Sequence, residues 1–288
     1  MRDLLSVLRQ ELPKFSKGQR LLAHYILENY DKAAFMTAAR LGKTVGISES
    51  TVVRFAAELG FEGYPQMQKA LQELVVSRLT SVQRLEVAHG RMADQDIVTT
   101  VLQSDMDKLR QTGEMLDRAE FDAAVHAILE AKRIYILGVR SAAPLANFLG
   151  YYLNYMFRNV HIITTSGTGE MFEKIVGIDS RDVVVAFSFP RYSSSTVAGA
   201  KYGQSTGATV IGITDSRLSP LGENCDHVLL AKSDMLSLVD TLVAPLSVVN
   251  ALVAALAVRK EAELARTFED LERIWEEYHV YEKQGDGL

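Results

Sequence analysis

The chain has 288 residues, of which 48% are hydrophobic and 23% charged. That balance fits one large or two ordinary folded domains and excludes collagen-like, disordered and coiled-coil classes. Taken for the whole chain, the formal net charge of −5 argues against a nucleic-acid binder, which usually carries a basic excess.

The first 77 residues read as helices. Ser16 is placed to cap a segment with Leu21, Leu22, Tyr25, Ile26 and Tyr30 at helical spacing. Residues 37–60, TAARLGKTVGISESTVVRFAAELG, read as two short helices around a glycine turn, the pattern of a DNA-reading helix pair. The first helix runs from Thr37 to Val45, and Gly46 supplies the turn, where a residue without Cβ can take positive φ. Ile47 follows as an apolar plug and Ser48 caps the second helix, which carries Val52, Phe55, Ala56 and Leu59 inward and ends at Gly60. Its outward N-terminal positions are Glu49, Ser50, Thr51 and Arg54. These positions face base edges when a recognition helix enters the major groove, and an arginine there can fork onto guanine O6 and N7. Arg54 is the residue expected at the bases, whereas Ser48 serves first as a cap. Lys43, Tyr64 and Lys69 flank the motif and are expected to grip backbone phosphate.

Charge divides the chain. Of its 31 Lys/Arg and 36 Asp/Glu, residues 1–77 hold ten and eight, leaving 21 and 28 for the remainder. The acidity therefore belongs to the second part, and the head is mildly basic. Between Arg78 and Asp107 the sequence is mostly polar and loses periodicity near His89-Gly90, which reads as a linker leading into a helix.

From Arg133 onward, Val/Ile-rich runs at 134–138, 160–165, 182–188, 208–214 and 226–231 alternate with helical stretches Ala143–Phe157, Thr168–Val176, Ser194–Thr206 and Leu238–Val258. Continuous apolar strands alternating with helices imply a parallel sheet covered on both faces, here a five-stranded, doubly wound sheet of flavodoxin type. Leu242–Val258 is free of charge but short for a membrane span and contains Pro245 and Asn250, so it reads as a buried core or interface helix. The tail, Glu261–Lys283, reads as a charged helix with one apolar stripe of Leu264, Phe268, Leu271, Trp275 and Tyr278. That stripe suits either packing on its own domain or a contact between copies.

In a doubly wound sheet a ligand belongs outside the carboxyl ends of the strands, near helix N-termini. Three loops stand there: Gly138-Val-Arg140-Ser141 after the first strand, Thr164-Thr-Ser166-Gly-Thr168 after the second, and Ser188-Phe-Pro-Arg191-Tyr-Ser193-Ser-Ser-Thr196 after the third. The last is rich in hydroxyls and opens onto a helix, whose free N–H groups and dipole favour an anion. Arg140 and Arg191 are placed to clamp phosphate, with Ser188 and Ser193 as ligand contacts and Ser194 and Ser195 as caps. There is no phosphate-binding lysine loop and no GxGxxG, which disfavours nucleotides. The histidines are scattered without HExxH or CxxC spacing, and the sole cysteine, Cys225, has no partner for an internal disulfide. No metal or cofactor is expected. With no secretory signal in MRDLLSVLRQEL, a cytoplasmic setting without membrane attachment is expected.

The run SESTVVRFAAELGFEGYPQMQKAL, and within it the spacing VxRFxxxLGFxGY, resembles the N-terminal domain of the RpiR family of bacterial transcriptional regulators. That family joins such a head to a C-terminal sugar isomerase (SIS) domain, so the resemblance covers the whole chain. It implies phosphosugar loops of the form GxGxS after the first strand and SxSGxT after the third. Ser188 and Ser193 match the latter, while Pro190 and Arg191 stand at its second serine and glycine. In the first loop Gly138 matches, Arg140 replaces the second glycine, and Ser141 falls one place before Ala142, where the serine belongs.

The expectation is thus an all-α helix-turn-helix domain (1–77), a linker and connecting helix (78–107), an α/β SIS domain (108–263) and a C-terminal helix (264–288). The expected partners are double-stranded operator DNA, a small phosphorylated sugar or sugar-derived anion, and further copies of the chain in a homodimer or homotetramer. A phosphosugar isomerase with an assembly-type head is the competing reading. Its base would come from Glu170, Asp179, Asp215, Asp234 or Asp240, none of which the spacing singles out. An adaptor whose α/β domain only oligomerises is the third reading.

Overall fold

The computed structural model describes residues 4–78, 82, 85, 96–233 and 239–281. The chain forms two compact units that divide at Ile97. Most of the expected linker, the start of the helix expected from Leu238, and the end of the tail helix at Lys283 lie outside the described residues.

The first unit is helical: α1 (Leu4–Glu11), α2 (Lys17–Ala33), α3 (Ala38–Val45), α4 (Glu49–Glu58) and α5 (Tyr64–Arg78). The Ser16 amide donates to Gln19 Oε1 at 2.9 Å, which closes the entry to α2 where the sequence places it. Thr37 caps α3 by accepting from the Arg40 amide at 3.2 Å. Leu22, Ile26, Leu41, Val52, Phe55, Met67 and Leu71 are fully buried together, with Phe15 edge-on to Phe55 at 5.0 Å between ring centroids. Gly46 takes φ +80°, as the turn requires. A second glycine, Gly42, sets how closely α3 approaches the turn. A Cβ built there would lie 2.9 Å from the Ile47 carbonyl oxygen and 3.3 Å from the Glu49 amide nitrogen.

The second unit opens with α6 (Ile97–Met115), which runs across the boundary expected at 107, and α7 (Arg118–Glu130). Asp117 caps α7 by accepting from the amides of Ala119 and Glu120. Then follow β1 (Ile134–Gly138), α8 (Ala143–Met156), β2 (Val160–Ile163), α9 (Thr168–Ile175), β3 (Val183–Phe187), α10 (Ser194–Ser205), β4 (Thr209–Thr214), β5 (His227–Leu230), α11 (Val243–Arg259) and α12 (Glu261–Glu277). All five strands are parallel, in the order β2-β1-β3-β4-β5. This is the expected flavodoxin-type sheet. Alternate side chains feed opposite faces. Ile134, Ile136, Val183, Val185 and Phe187 pack under α7, α8 and α11, while Tyr135, Leu137, Val184 and Ala186 pack under α9 and α10.

At the amino edge of the sheet the Arg133 guanidinium grips Asp182, with Nε to Oδ1 at 2.8 Å and Nη2 to Oδ2 at 2.5 Å. The Asp182 carboxylate is fully buried, so this forked pair carries its charge. Helix α11 begins at Val243 rather than at Leu238, and it buries Ala244, Pro245, Val248, Val249, Leu252 and Leu256. It is a core helix. Among the described residues no single helix is long and apolar enough to cross a membrane. On α12, Leu264 packs on the core and Phe268 lies 5.3 Å from the Tyr155 ring. No residue of the α12 stripe is fully buried, and Tyr278 is 71% exposed.

Gly42→Ala should destabilise the helical head by about 1–3 kcal/mol, because the methyl meets backbone atoms that cannot rotate away. Urea unfolding followed by far-UV circular dichroism checks this, with Ala39→Gly on the exposed face of α3 as the comparison for altered helix propensity.

Candidate functional site

Helix α4 carries the positions expected to face DNA. Ser48 caps it, accepting from the Thr51 amide at 3.3 Å, and its Oγ lies 2.9 Å from Ser50 Oγ and 2.8 Å from Thr51 Oγ1. These three hydroxyls form one cluster at the tip of the helix. Glu49, Ser50 and Arg54 are exposed and Thr51 is half-buried. Arg54 Nε rests on the Ser50 carbonyl at 3.3 Å, which leaves its terminal nitrogens outermost. Lys43 on α3 and Lys69 on α5 are exposed.

Tyr64 departs from expectation. It is 4% exposed, its hydroxyl donates to the Met36 carbonyl at 2.6 Å, and burial pushes its pKa up to about 12. Together with Gln68, which donates to the same carbonyl at 2.8 Å, it ties α5 to the chain entering α3. Its buried hydroxyl is spent on the Met36 carbonyl, so it braces the head. The sequence reading passed over Lys17. This exposed residue opens α2 next to Gly18, whose Cβ position lies 3.5 Å from Ile47 and 3.8 Å from Thr51, so the start of α2 runs close to the start of α4. The signal was its place at a helix N-terminus, which becomes informative only once α2 is seen against the turn.

In the second unit the strand registers align Ile163, Leu137, Ala186 and Ile213 close to a common edge. The loops after β2, β1, β3 and β4 therefore stand side by side, and Arg140, Ser141, Ser166, Thr168, Ser188, Arg191 and Ser193 all fall on that edge. Gly138 makes the first loop tight: a Cβ there would lie 2.8 Å from the Ala146 methyl and 2.9 Å from the Ala142 carbonyl. Arg140 follows with φ +55°, a left-handed conformation that glycine takes without strain and arginine does not. The position thus keeps the backbone of a glycine while presenting an exposed guanidinium. Ser141 is exposed beside it.

The loops after β2 and β3 differ as anion seats. Ser166 and Thr168 are exposed at the start of α9, but Glu170 in the first turn already supplies a carboxylate there. Lys174 and the Thr165 hydroxyl hold Glu170 below the usual carboxylate range. The first turn of α10 carries no acidic residue of its own, which suits an anion at its N-terminus. Ser193 is the N-cap, accepting from the Thr196 amide at 3.4 Å, with its Oγ 2.8 Å from Ser195 Oγ. The cap is therefore Ser193, one place before the expected Ser194 and Ser195. Ser188 is 2% exposed and its Oγ accepts from the Ser193 amide at 3.1 Å, so it braces the loop from inside instead of reaching outward as expected. Thr196, on the first turn of α10, is fully buried, and its Oγ1 has no hydrogen-bond partner among the described residues. Arg191 is exposed at the tip of the loop.

Asp215, at the end of β4, is more than a turn residue. Both its carboxylate oxygens accept from the Tyr192 hydroxyl, at 2.9 and 3.1 Å. Burial pushes its pKa up, and the hydrogen bonds from Tyr192 and Thr214 and the charge of Lys232 oppose that rise. Cys225 packs against Gly212, and burial pushes its thiol up to about 12. Among the described residues no group of His, Cys, Asp and Glu is placed to hold a metal ion.

Two family models match the chain: the helix-turn-helix domain of the rpiR family over residues 2–77, and the SIS domain over residues 127–255. An HTH-type transcriptional regulator of Clostridium perfringens is 27% identical over 230 residues, covering 78% of this chain and 81% of its own. HexR, an HTH-type transcriptional regulator of Pseudomonas aeruginosa, is 23% identical over 266 residues, covering 90% of this chain and 91% of its own. The sugar isomerase domain of an RpiR transcription factor from Sphaerobacter thermophilus superposes with a TM-score of 0.59 at 28% identity, covering 62% of this chain and 99% of that one. The Vibrio vulnificus NanR protein, solved in complex with ManNAc-6P, shares the fold with a TM-score of 0.58 at 24% identity, covering 94% of this chain and 97% of that one.

Removing the α10 cap by Ser193→Ala should cost about 1 kcal/mol of stability. Ser194→Ala, on an exposed side chain, should stay within about 0.5 kcal/mol. Denaturant midpoints of the two variants, measured without added phosphate, test the assignment of the cap.

Proposed function

Because the chain belongs to the RpiR family of helix-turn-helix transcriptional regulators and carries a SIS domain, we propose that a small phosphorylated sugar or sugar-derived anion, held in that domain, modulates its binding to operator DNA. The head reads a pseudo-palindromic double-stranded operator as part of a dimer, with half-sites roughly 34–36 Å apart or a multiple of that. Arg54, Glu49, Ser50 and Thr51 meet base edges, and Lys17, Lys43 and Lys69 meet phosphate. Ser48 keeps the tip of α4 in shape.

One observation carries the effector reading. The first turn of α10 combines an N-terminus without an acidic residue, a preceding exposed arginine and a buried Thr196 hydroxyl without a partner among the described residues. That is a seat for a phosphate group. Arg140, on the neighbouring loop, supplies charge where the family pattern has glycine. The NanR relative holds a ligand of the same chemical class. Effector and operator affinities are then coupled, each changing the other by the same factor.

Three of the five acids that could act as a base are engaged, which favours sensing over turnover; Asp234 lies outside the described residues. Asp215 is tied to Tyr192, Glu170 to Lys174 and Thr165, and Asp179 to Arg133 and Arg181 at the opposite edge of the sheet. The relatives described above are named as transcriptional regulators. Incubation with aldose and ketose phosphates should give no interconversion; turnover on the order of 1 per second or faster would restore the isomerase reading.

Arg54→Ala should weaken operator binding by about 1–3 kcal/mol while leaving random-sequence DNA nearly unchanged, as read by fluorescence anisotropy at fixed salt. An equal loss on both DNAs would remove the base contact. A thermal-shift series over sugar phosphates and sugar acids should raise the midpoint of the wild-type chain. The double variant Arg191→Ala/Ser193→Ala should lose that rise and still bind operator; a retained rise would move the effector elsewhere.

A further inference from the structure

The loop from Ser188 to Ser193 is held at both ends by the last residue of β4 and the residue after it. Thr214, the last residue of β4, donates through its hydroxyl to the Ser188 carbonyl at 2.7 Å. Asp215, the next residue, accepts from the Tyr192 hydroxyl with both oxygens, at 2.9 and 3.1 Å. Ser188 Oγ then closes the loop on itself by accepting from the Ser193 amide. Phe189 is buried in the core below. The exposed Arg191 lies between these anchors, and the α10 cap directly follows Tyr192.

We propose that Tyr192, through the single hydroxyl proton it shares between the two oxygens of Asp215, is the positioning residue that fixes the loop so that the Ser193 cap and the Arg191 guanidinium face one bound anion. The proposal rests on the effector site assigned above and names how that site is held. Its chemistry is specific. The family pattern has small residues and a glycine where this chain carries Pro190 and Arg191, so the loop cannot wrap an anion with its own backbone as a glycine loop would. Its geometry has to come from outside, and the link to β4 provides it. A buried carboxylate near an anion seat repels the ligand. The Asp215 carboxylate accepts from the Tyr192 hydroxyl, and an asparagine at 215 would keep an acceptor for that hydroxyl without the charge.

The test uses the full chain and inorganic phosphate as the probe, titrated calorimetrically into wild type, Tyr192→Phe, Asp215→Ala, Asp215→Asn and the double variant Tyr192→Phe/Asp215→Ala. Tyr192→Phe should weaken phosphate by about tenfold, the size expected for a charge-assisted hydrogen bond, and Asp215→Ala should weaken it by less, since it removes the repelling charge together with the link. The double variant should be no weaker than either single one, since one link is lost in all three. Asp215→Asn should bind phosphate at least as tightly as wild type. Unchanged affinity in Tyr192→Phe, or losses that multiply in the double variant, would overturn the proposal. If wild type itself does not bind phosphate, the effector site falls, and amide hydrogen exchange on the ligand-free chain decides the link separately. Faster exchange at the Ser193 and Thr196 amides in Tyr192→Phe supports it, and exchange equal to wild type overturns it.

Discussion

Parallel strands cannot be joined by hairpins. Each must return over a face of the sheet before the next can start, and the whole architecture of the second unit follows from this constraint. The returning helices cover both faces, which is why alternate residues of β1 and β3 are buried on opposite sides and the strands read as unbroken apolar runs. The same constraint sends every strand end and every following helix start to one edge. The amino edge is closed by the forked pair of Arg133 and Asp182, while the carboxyl edge collects loops, hydroxyls and helix N-termini. The position of the edge proposed for the ligand is thus a result of chain connectivity before any side chain is chosen. Among its loops, α9 carries Glu170 in its first turn, and the first turn of α10 carries no acid.

The head obeys a different economy. It has few basic residues in excess, so its affinity for a polyanion cannot rest on bulk charge. In the proposed reading its specificity comes from the tip of α4, whose hydroxyls bond one another and whose Arg54 rests on the helix backbone. Gly42 contributes by letting α3 approach the turn at backbone distance. The two glycines of this motif therefore act in different ways: Gly46 bends the chain, and Gly42 makes room.

Much of this was legible in the amino-acid pattern. Val- and Ile-rich runs gave the five strands to within a residue or two, because a doubly covered strand admits little else. Thr37, Gly46, Ser48 and Gly60 marked the helix pair because caps and positive-φ sites have narrow residue preferences. What was missed depends on partners distant in sequence. Tyr64 looks like a surface aromatic until its hydroxyl is seen on the Met36 carbonyl, 28 positions away. Asp215 reads locally as a turn, and only the juxtaposition of β3 and β4 brings Tyr192 to it. The start of α6 was hidden by its polar surroundings: Ile97, Val98, Leu102 and Met106 are exposed, so they show no buried face to set a boundary. The seats of the helix caps also shifted by single residues, as at Ser193, where four hydroxyl residues in a row offer equivalent caps to the eye.

Cys225 carries a last consequence. It is the only thiol in the chain, half-buried against the glycine of a central strand, and its proton is held far above neutral pH. A thiol in that state reacts slowly with oxidants and alkylating agents, since the thiolate is the nucleophile. Cys225 should therefore react slowly with maleimides and methanethiosulfonates. A cysteine placed on the exposed face of α4 or at the loop tip beside Arg191 would take up a fluorophore or spin label well ahead of it.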